Sequence, residues 1–399
     1  MLIKIDESIV DYIERERCKP EDSTIVALNN LAKAHQEGNH IVIASVSTLE
    51  KIINYTVLDN STIFIYKSIL SKVSTLGAYQ KVLSDYIITS ITKEIKVETS
   101  NEKNIYYVPI DYFQKYQRLN KTVLICENPV DYKFYLGLAK KYLKSETDYN
   151  LDLSYSMANG GGDTTHQVLE HHMKENEIIL IVSDSDKKYS TDNYGETQKK
   201  IQKVYNENKR KCICYLINLD VREMENLVSP SLYMLSEGSE GRNKLDFMLN
   251  IENDEGLVET LRYFDWKDGI RYKNLNNKNI LEYFKPVIEI YSAFQSISVS
   301  IDDYPVIQKN NREEVLIPGF GSKITERFTH YVLNDGLEER LAKMKMMSGL
   351  PLKNIEDFEN KIEIKNELFK NSPEYIKNDQ IKICKKLIAW GCREKTVAI

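Results

Sequence analysis

The chain has no apolar run long enough to cross a bilayer. The longest runs, such as Ile178 to Val182, are far shorter than the roughly 20 residues that a spanning helix needs. The opening residues Met1 to Glu7 turn acidic before the apolar region of a signal peptide can form. We therefore expect a soluble, cytoplasmic protein with no membrane contact.

Cysteine is also scarce and does not follow a metal or disulfide pattern. The chain has six cysteines, of which Cys212 and Cys214 alternate within an apolar run while the others are scattered. This arrangement excludes a disulfide framework and a zinc site built from Cys-x-x-Cys pairs. Reduced thiols, as expected in the cytosol, are the simplest interpretation.

An excess of positive charge is missing as well. The chain has 54 basic and 59 acidic residues, which gives a net charge of -5 at pH 7. A uniformly basic surface that binds nucleic acid everywhere is therefore excluded. Any binding of a polyanion must depend on a local group of basic residues.

Length and composition predict two or three domains. The chain has 399 residues, 42% of them apolar, which is more than one ordinary core requires. Residues 1–118 are interpreted as a small α/β domain for scaffolding or recognition, in which Ile63 to Tyr66 predicts a strand. A boundary follows the break at Pro109. Residues 119–235 form the predicted catalytic domain, and residues 236–399, rich in lysine and glutamate, a mostly helical accessory domain.

The middle domain alternates strand and helix patterns. Single helical segments separate its strands, and the first helix has Asn128 at its N-cap and Pro129 at its first position. Such connections require crossovers, so we predict an α/β fold with a mainly parallel sheet and helices on both faces. The predicted strands are Thr122 to Cys126, Leu151 to Met157, Ile178 to Val182 and Cys212 to Ile217.

Carboxylates follow three of these four strands, where ligands bind in such sheets. Like charges crowd together only when something positive neutralises them, and carboxylate oxygens select a hard cation such as Mg²⁺ or Mn²⁺. The predicted ligands are Glu127 after the first strand, Asp184 and Asp186 after the third, and Glu223 with Glu225 after the fourth. Taken singly, Asp-Ser-Asp is also typical of an ordinary loop, and Glu127 of a helix N-terminus.

Two further segments are typical of phosphate binding. A triple-glycine turn lets the backbone approach a phosphate, and the segment from Lys187 to Lys211 has eight basic and three acidic residues. The alternative for the basic segment is a solvated helix face. The candidate nucleic-acid contacts are Gly160, Gly161, Gly162, Lys187, Lys188, Lys199, Lys200 and Lys203.

These motifs together resemble the Toprim domain of topoisomerases, primases and overcoming-lysogenization-defect nucleases. The resemblance covers about Lys121 to Tyr233 and is nearest to the Toprim nucleases of PARIS-type anti-phage defence. It rests on the strand-end glutamate, the Asn-Gly-Gly-Gly turn, Asp184-Ser185-Asp186, and the Glu-Met-Glu-Asn-Leu run that begins at Glu223. In that family, such residues form a Mg²⁺ site for phosphodiester chemistry.

The resemblance implies a metal-dependent endonuclease that cleaves DNA or a structured RNA as a defence effector. It assigns Glu127, Asp184, Asp186 and Glu225 to the metal site, with Glu223 as the rival of Glu225, and Glu127 as ligand or general base. Lys187 or Lys188 would stabilise transition-state charge. Two alternatives stay open: an inactive Toprim sensor or binding module, and a DNA-processing enzyme of the topoisomerase or primase type.

The resemblance also implies a means of control. Nucleases of the overcoming-lysogenization-defect type work with an ATPase module. The turn from Gly319 to Lys323 lacks the spacing of a phosphate loop, and we predict that it is a surface turn. We therefore expect a regulatory partner such as an ATPase, or self-association into a homo-oligomer.

Overall fold

The structure of the chain is a computed structural model that describes residues 1–236, 239–294, 314–347 and 351–395. The chain divides into two compact units, unit 1 and unit 2. Unit 1 comprises residues 1–183, 199–217 and the described residues from 382, and unit 2 comprises residues 184–198 and the described residues of 218–381. Compactness thus groups the chain differently from the three predicted domains, whose boundaries stay a prediction.

The described part of the chain contains strands and helices in alternation, followed by a mainly helical region. The strands are β1 (Leu2–Ile5), β2 (Ile41–Ile43), β3 (Asp85–Ser90), β4 (Lys96–Ser100), β5 (Lys103–Pro109), β6 (Val123–Cys126), β7 (Leu151–Leu153), β8 (Ser156–Asn159), β9 (Ile179–Ser183), β10 (Cys214–Asn218), β11 (Gly269–Arg271), β12 (Val315–Pro318) and β13 (Cys392–Glu394). The helices are α1 (Glu7–Glu16), α2 (Ser23–Gln36), α3 (Val46–Ile53), α4 (Asn60–Ser71), α5 (Val73–Val82), α6 (Pro129–Glu146), α7 (Thr165–Lys174), α8 (Glu196–Asn208), α9 (Pro230–Tyr233), α10 (Ser239–Glu252), α11 (Lys278–Phe294), α12 (Ile324–Phe328), α13 (Gly336–Met346), α14 (Leu352–Lys370) and α15 (Glu374–Gly391).

Unit 1 begins with a five-stranded sheet in the order β2-β1-β3-β5-β4. Strand β1 is parallel to β2 and β3, β3 is parallel to β5, and the edge strand β4 is antiparallel to β5. The predicted strand from Ile63 to Tyr66 is wrong, because this segment lies in α4. Thr62, Ile65 and Tyr66 are buried at helical spacing, so packing overrides the β-propensity of the segment.

A second sheet of unit 1 has the order β10-β9-β6-β8, with β6 parallel to both β8 and β9. It confirms the prediction of an α/β fold with a parallel sheet. On one face, Ile125 and Ile181 pack against Leu169 of α7 and Ile201 of α8. Leu124 points to the opposite face and is also fully buried, so both faces are covered.

The predicted strand from Leu151 to Met157 is instead two strands in two sheets. Strand β8 pairs with β6, whereas β7 pairs in antiparallel fashion with β13, close to the end of the described chain. Because β8 and β9 flank β6 on opposite sides, the chain reverses its direction across the sheet at β6. The crevice at the carboxyl ends of such strands is where ligands bind in open α/β sheets.

Unit 2 is mainly helical in its described residues. Apart from its helices, it contains a two-stranded antiparallel sheet of β11 and β12. The apolar core of this unit includes the fully buried rings of Tyr233, Phe264, Trp266 and Phe328. Among the helices of both units that the structure describes, we find none with the length and apolar character needed to cross a membrane.

Candidate functional site

The predicted Asp-Ser-Asp motif is held in place by the backbone of another segment of unit 2. Ser185 is fully buried, and its hydroxyl donates to the carbonyl oxygen of Val221 at 2.6 Å. The backbone N–H groups of Ser185 and Asp186 both donate to the carbonyl oxygen of Arg222 at 3.0 Å. These bonds join the turn after β9 to the residues that precede Glu223.

The carboxylate of Asp184 bonds directly to the Glu-Met-Glu segment. Its Oδ1 accepts a hydrogen bond from the backbone N–H of Met224 at 3.1 Å. Met224 lies between Glu223 and Glu225 and starts a 3₁₀ turn that ends at Leu227. The structure therefore brings together the acidic residues predicted after the third strand and those predicted after the fourth. We call Asp184, Asp186, Glu223 and Glu225 the acidic cluster.

Asp186 has an unusual backbone conformation, and its carboxylate is partly removed from water. Its φ is 56°, in the left-handed region. A Cβ atom on Gly195 would lie 2.6 Å from the Cβ of Asp186. The loop that follows can therefore return past Asp186 only with glycine at position 195. Loss of hydration and then the charge of Glu223 raise the pKa of Asp186, while nearby cations, Arg222 foremost, act in the opposite direction.

Glu225 is the most deeply buried member of the acidic cluster. Its side chain is 1% exposed, and its Oε1 accepts from the hydroxyl of Thr325 at 2.5 Å and lies 3.2 Å from Nζ of Lys267. Its Oε2 is buried without a hydrogen-bond partner among the described residues. Burial is the main cause that raises the pKa of Glu225, and the charge of Glu223 adds to it.

Lys267 supplies an internal positive charge to the acidic cluster. Its Nζ lies 3.1 Å from Oε2 of Glu223 and 3.2 Å from Oε1 of Glu225. Burial alone would lower the pKa of Lys267, but the charges of Glu225, Glu223 and Asp184 outweigh burial and raise it. Sequence reasoning missed this residue, since an isolated lysine in Trp-Lys-Asp-Gly has no distinctive spacing.

Lys267 is held by close backbone contacts with the predicted surface turn at Gly319. A Cβ atom on Gly319 would lie 2.5 Å from the carbonyl carbon of Lys267, so only glycine fits there. The N–H groups of Phe320 and Gly321 donate to the carbonyl oxygens of Trp266 and Lys267 at 2.8 and 3.0 Å. The segment is a turn, as predicted, and its glycines serve the position of Lys267.

Asn226 connects the acidic turn to the segment that carries Lys267. It is buried, and its Oδ1 accepts from the backbone N–H of Glu223 at 3.0 Å. Its Nδ2 donates to the carbonyl oxygens of Leu261 and Phe264 at 2.7 and 2.8 Å. The structure thus explains the asparagine of the Glu-Asn-Leu run, because Asn226 holds the turn that carries both glutamates and the segment that leads to Lys267.

Glu127 lies in unit 1, directly after β6. Asn128 forms the N-cap of α6 and Pro129 its first residue, as predicted, and Asp131 completes a capping box with Asn128. The carbonyl oxygen of Glu127 accepts from the N–H of Gly161 at 2.9 Å. The end of β6 is thus tied to the glycine turn that follows β8, at the place where the sheet reverses its strand order.

Most of the backbone N–H groups of the glycine turn already donate hydrogen bonds to the end of β6 and the residue after it. The N–H of Gly160 donates to the carbonyl oxygen of Cys126 at 2.7 Å, and that of Gly161 to Glu127. Gly161 and Gly162 have φ values of 70° and 63°, which favour glycine. The turn is built as predicted, but two of its three N–H groups already serve the sheet.

The predicted basic residues are distributed over both units. In unit 2, Nζ of Lys187 lies 4.5 Å from the ring centroid of Tyr194, and Lys188 is exposed. In unit 1, α8 carries the exposed Lys200, whose Nζ pairs with Oδ1 of Asp163 at 2.6 Å. The other two predicted contacts on α8, also exposed, are Lys199 and Lys203.

The acidic cluster keeps a surplus of negative charge. Arg222 is shared between Asp265 at 2.5 Å and Glu223 at 3.5 Å, and Lys267 is shared between the two glutamates. In the described residues, no three His, Cys, Asp or Glu side chains lie close enough together to hold a metal ion as they stand. A hard divalent cation nevertheless fits the donor set, since all four groups are carboxylates and one buried oxygen of Glu225 lacks a partner.

Comparisons of the chain with protein-family models, with curated proteins and with solved structures found no match.

Proposed function

We propose that the chain is a Mg²⁺- or Mn²⁺-dependent Toprim-type nuclease that hydrolyses phosphodiester bonds of DNA or structured RNA, as an effector of anti-phage defence. The observation that carries the proposal is the buried carboxylate of Glu225, whose Oε2 has no hydrogen-bond partner among the described residues. A buried, unsatisfied charge costs free energy, and it persists in proteins chiefly where function requires it. A bound cation would satisfy this oxygen.

The chain's own residues supply the rest of the proposed chemistry. A divalent ion on Asp184, Asp186 and Glu225 would polarise the phosphate and lower the pKa of an attacking water. Lys267 offers an ammonium group to the charge that develops on the phosphate, as Lys187 was expected to do. The role of Glu127 rests on the family resemblance.

The second candidate is a catalytically inactive Toprim-like binding module. Lys267 favours it, because this side chain already neutralises part of the charge that an ion would neutralise. The two candidates differ in one property that can be measured. That property is cleavage that depends on the ion: a nuclease cleaves its target only with the ion, whereas a binding module does not cleave and binds its target equally well without the ion.

The test is an assay of cleavage of DNA and of a structured RNA by the full chain, with Mg²⁺, with Mn²⁺ and with EDTA. We expect cleavage that requires the metal and that Asp184→Asn or Asp186→Asn abolishes. The matched control is Glu255→Gln, an exposed carboxylate of unit 2 outside the acidic cluster, which should cleave normally. Unchanged cleavage in EDTA, or in both aspartate variants, would exclude this metal site.

Binding of the substrate backbone is tested separately in EDTA, so that the strand stays intact. Replacing Lys199, Lys200 and Lys203 together by alanine should weaken binding to all sequences, since each lost phosphate contact removes about 0.9 unit of the slope of log K against log salt on duplex DNA. Lys200 should contribute less than Lys203, because Asp163 already pairs with it. An unchanged slope would identify these lysines as a solvated helix face.

Control of the nuclease is part of the same proposal. A chain that cleaves nucleic acid needs restraint in the cell, and we propose that a regulatory protein such as an ATPase, or self-association, provides it. Co-expression with candidate partners would test this. A chain that is fully active and toxic as a purified monomer would contradict it.

A further inference from the structure

Unit 1 contains a cavity of about 760 Å³ to which none of the predicted site residues contributes. Its walls come from the edge strand β4, from the adjacent β5, from the last turn of α8 with the residues after it, and from β10. This volume lies within the range of about 300–1,000 Å³ that is typical of small-molecule sites. The cavity therefore has room for a ligand of the size of a nucleotide.

One wall of the cavity is aromatic. Tyr205 and Tyr215 are half-buried and line the cavity, while Tyr106 is buried at its base, where its hydroxyl donates to the carbonyl oxygen of Cys214 at 3.1 Å. The Tyr205 ring is supported from behind by the core of the second sheet. Rigid, supported tyrosine rings of this kind are suited to stacking against a planar base.

Three cations lie at the rim of the cavity. The side chains of Arg210 and Lys96 are exposed and make no ion pair or hydrogen bond with any residue that the structure describes. Lys209 also lines the cavity, and its Nζ lies 2.9 Å from Oδ1 of Asn206 and 5.5 Å from the centroid of the Tyr205 ring. Three cations next to an aromatic wall favour a ligand that joins an anion to a flat ring.

Two carboxylates, one on β4 and one just before it, make the β4 side of the cavity negative. Glu94 and Glu98 line the β4 side, and Glu98 already accepts a hydrogen bond from the hydroxyl of Tyr107 at 3.2 Å. Their charge repels a phosphate from β4 and leaves acceptors for hydroxyl or amino groups. A phosphate is therefore directed toward Arg210 and Lys209.

We propose that this cavity binds a nucleotide, with the base stacked on Tyr205 and Tyr215 and the phosphate held by Arg210 and Lys209. The shared chemistry is an aromatic base joined to a phosphate, supplied either by a free nucleotide or by one nucleotide of a strand. The proposal does not depend on nuclease activity, since every residue that it uses lies outside the acidic cluster.

The test is a calorimetric titration of the full chain in EDTA with ATP, GTP, adenosine, tripolyphosphate and a short single-stranded oligonucleotide. A nucleotide or the oligonucleotide should bind at least about tenfold more tightly than adenosine or tripolyphosphate alone, because only the former engage both walls. The variant Lys209→Ala with Arg210→Ala should weaken that binding by at least about tenfold. The matched control, Lys133→Ala with Lys144→Ala, removes two exposed cations of α6 and should bind as the wild type does.

The two sources of the ligand give different results. Binding of ATP or GTP that depends on Arg210 identifies a free nucleotide, and binding of the oligonucleotide alone with the same dependence identifies a strand. Photocrosslinking of 8-azido-ATP or of an azido-labelled strand should then label the peptide that contains Tyr205 or Tyr215, a readout independent of any variant. Absence of binding by every probe, or equal binding by the double variant and its control, overturns the proposal.

Discussion

Each unit of the molecule contains a fully buried carboxylate, and the two are treated in opposite ways. In unit 1, Asp85 accepts hydrogen bonds from Nζ of Lys386 at 2.8 Å, from Nε1 of Trp390 at 2.7 Å and from both nitrogen donors of Asn104 at 2.9 Å. In unit 2, Glu225 shares one lysine with a second glutamate, and one of its oxygens has no partner among the described residues.

The difference separates a structural acid from a candidate functional one. Both residues are fully buried, so burial alone does not distinguish them. The donors around Asp85 satisfy both of its oxygens, and the pair with Lys386 joins α15 to β3. Around Glu225, the charge and hydrogen bonding stay incomplete, as expected of a site that awaits a cation.

The largest expected effect comes from breaking the structural acid. Asp85→Ala removes the carboxylate that neutralises the buried ammonium of Lys386, which keeps the carbonyl oxygen of Glu102, and leaves the indole N–H of Trp390 without its acceptor, so it should lower the free energy of unfolding by about 3–5 kcal/mol. Glu225→Gln removes a charge that is only partly compensated, so stability without metal should stay level or rise. Urea unfolding of both variants measures the contrast. Similar losses in the two would remove the distinction between the acids.

The next effect concerns activity at the acidic cluster. Glu225→Gln should reduce cleavage by at least about 100-fold, because it removes a proposed ligand of the ion. Glu223→Gln should cost less, roughly tenfold, since Glu223 is more exposed and its backbone contacts with Asn226 remain. Rates at saturating Mg²⁺ decide the order. A greater loss in Glu223→Gln would assign the ligand to Glu223.

A smaller effect should follow from the hydroxyl that bonds to Glu225. Thr325→Val keeps the size of this buried side chain but leaves Oε1 of Glu225 with Lys267 alone. A hydrogen bond to a charged group contributes about 1.5–3 kcal/mol, so the variant should lose stability in that range. In a Glu225→Gln background the same change should cost less. Equal costs in both backgrounds would show that Thr325 acts by packing.

Much of the parallel sheet could be predicted from the sequence, because local patterns define it. Buried strands read as continuous apolar runs, and Asn128 with Pro129 marks the start of α6. The strand at Ile63 and the undivided strand at Leu151 failed because burial from distant segments decides them. Strand β7 pairs with β13, about 240 residues away along the chain, which no local pattern reveals.

The acidic cluster, too, could be predicted from the sequence only in part. The residue types and strand-end positions of Asp184, Asp186 and Glu225 point to it, and the structure joins them through the N–H of Met224 and the carbonyl of Arg222. Lys267 could not be predicted, because its place depends on contacts with Gly319 across a long separation in sequence. Nor did the sequence reveal that two N–H groups of the glycine turn donate hydrogen bonds to Cys126 and Glu127, at the end of β6.

The smallest expected effect is a dependence of stability on pH. The pKa of Glu225 is raised in the folded state, so the folded chain binds its proton at a higher pH than the unfolded chain does. Lowering the pH from 7 through this raised pKa should therefore stabilise the fold, until unfolded glutamates also protonate near about pH 4.3. Glu225→Gln should lack this contribution, and thermal unfolding against pH compares the two. An identical pH dependence of stability in the wild type and in Glu225→Gln would contradict a raised pKa of Glu225.

The most direct test of the central claim is a titration of the full chain with Mn²⁺, followed by electron paramagnetic resonance of the free ion. The acidic cluster has uncompensated charge and an unsatisfied oxygen at Glu225, so it should bind the ion, and Mg²⁺ should displace it. Glu225→Gln and Asp184→Asn should each weaken this binding at least about tenfold, while Glu255→Gln should not. Binding that is absent, or equal in all four proteins, would contradict the claim that this cluster is a metal site.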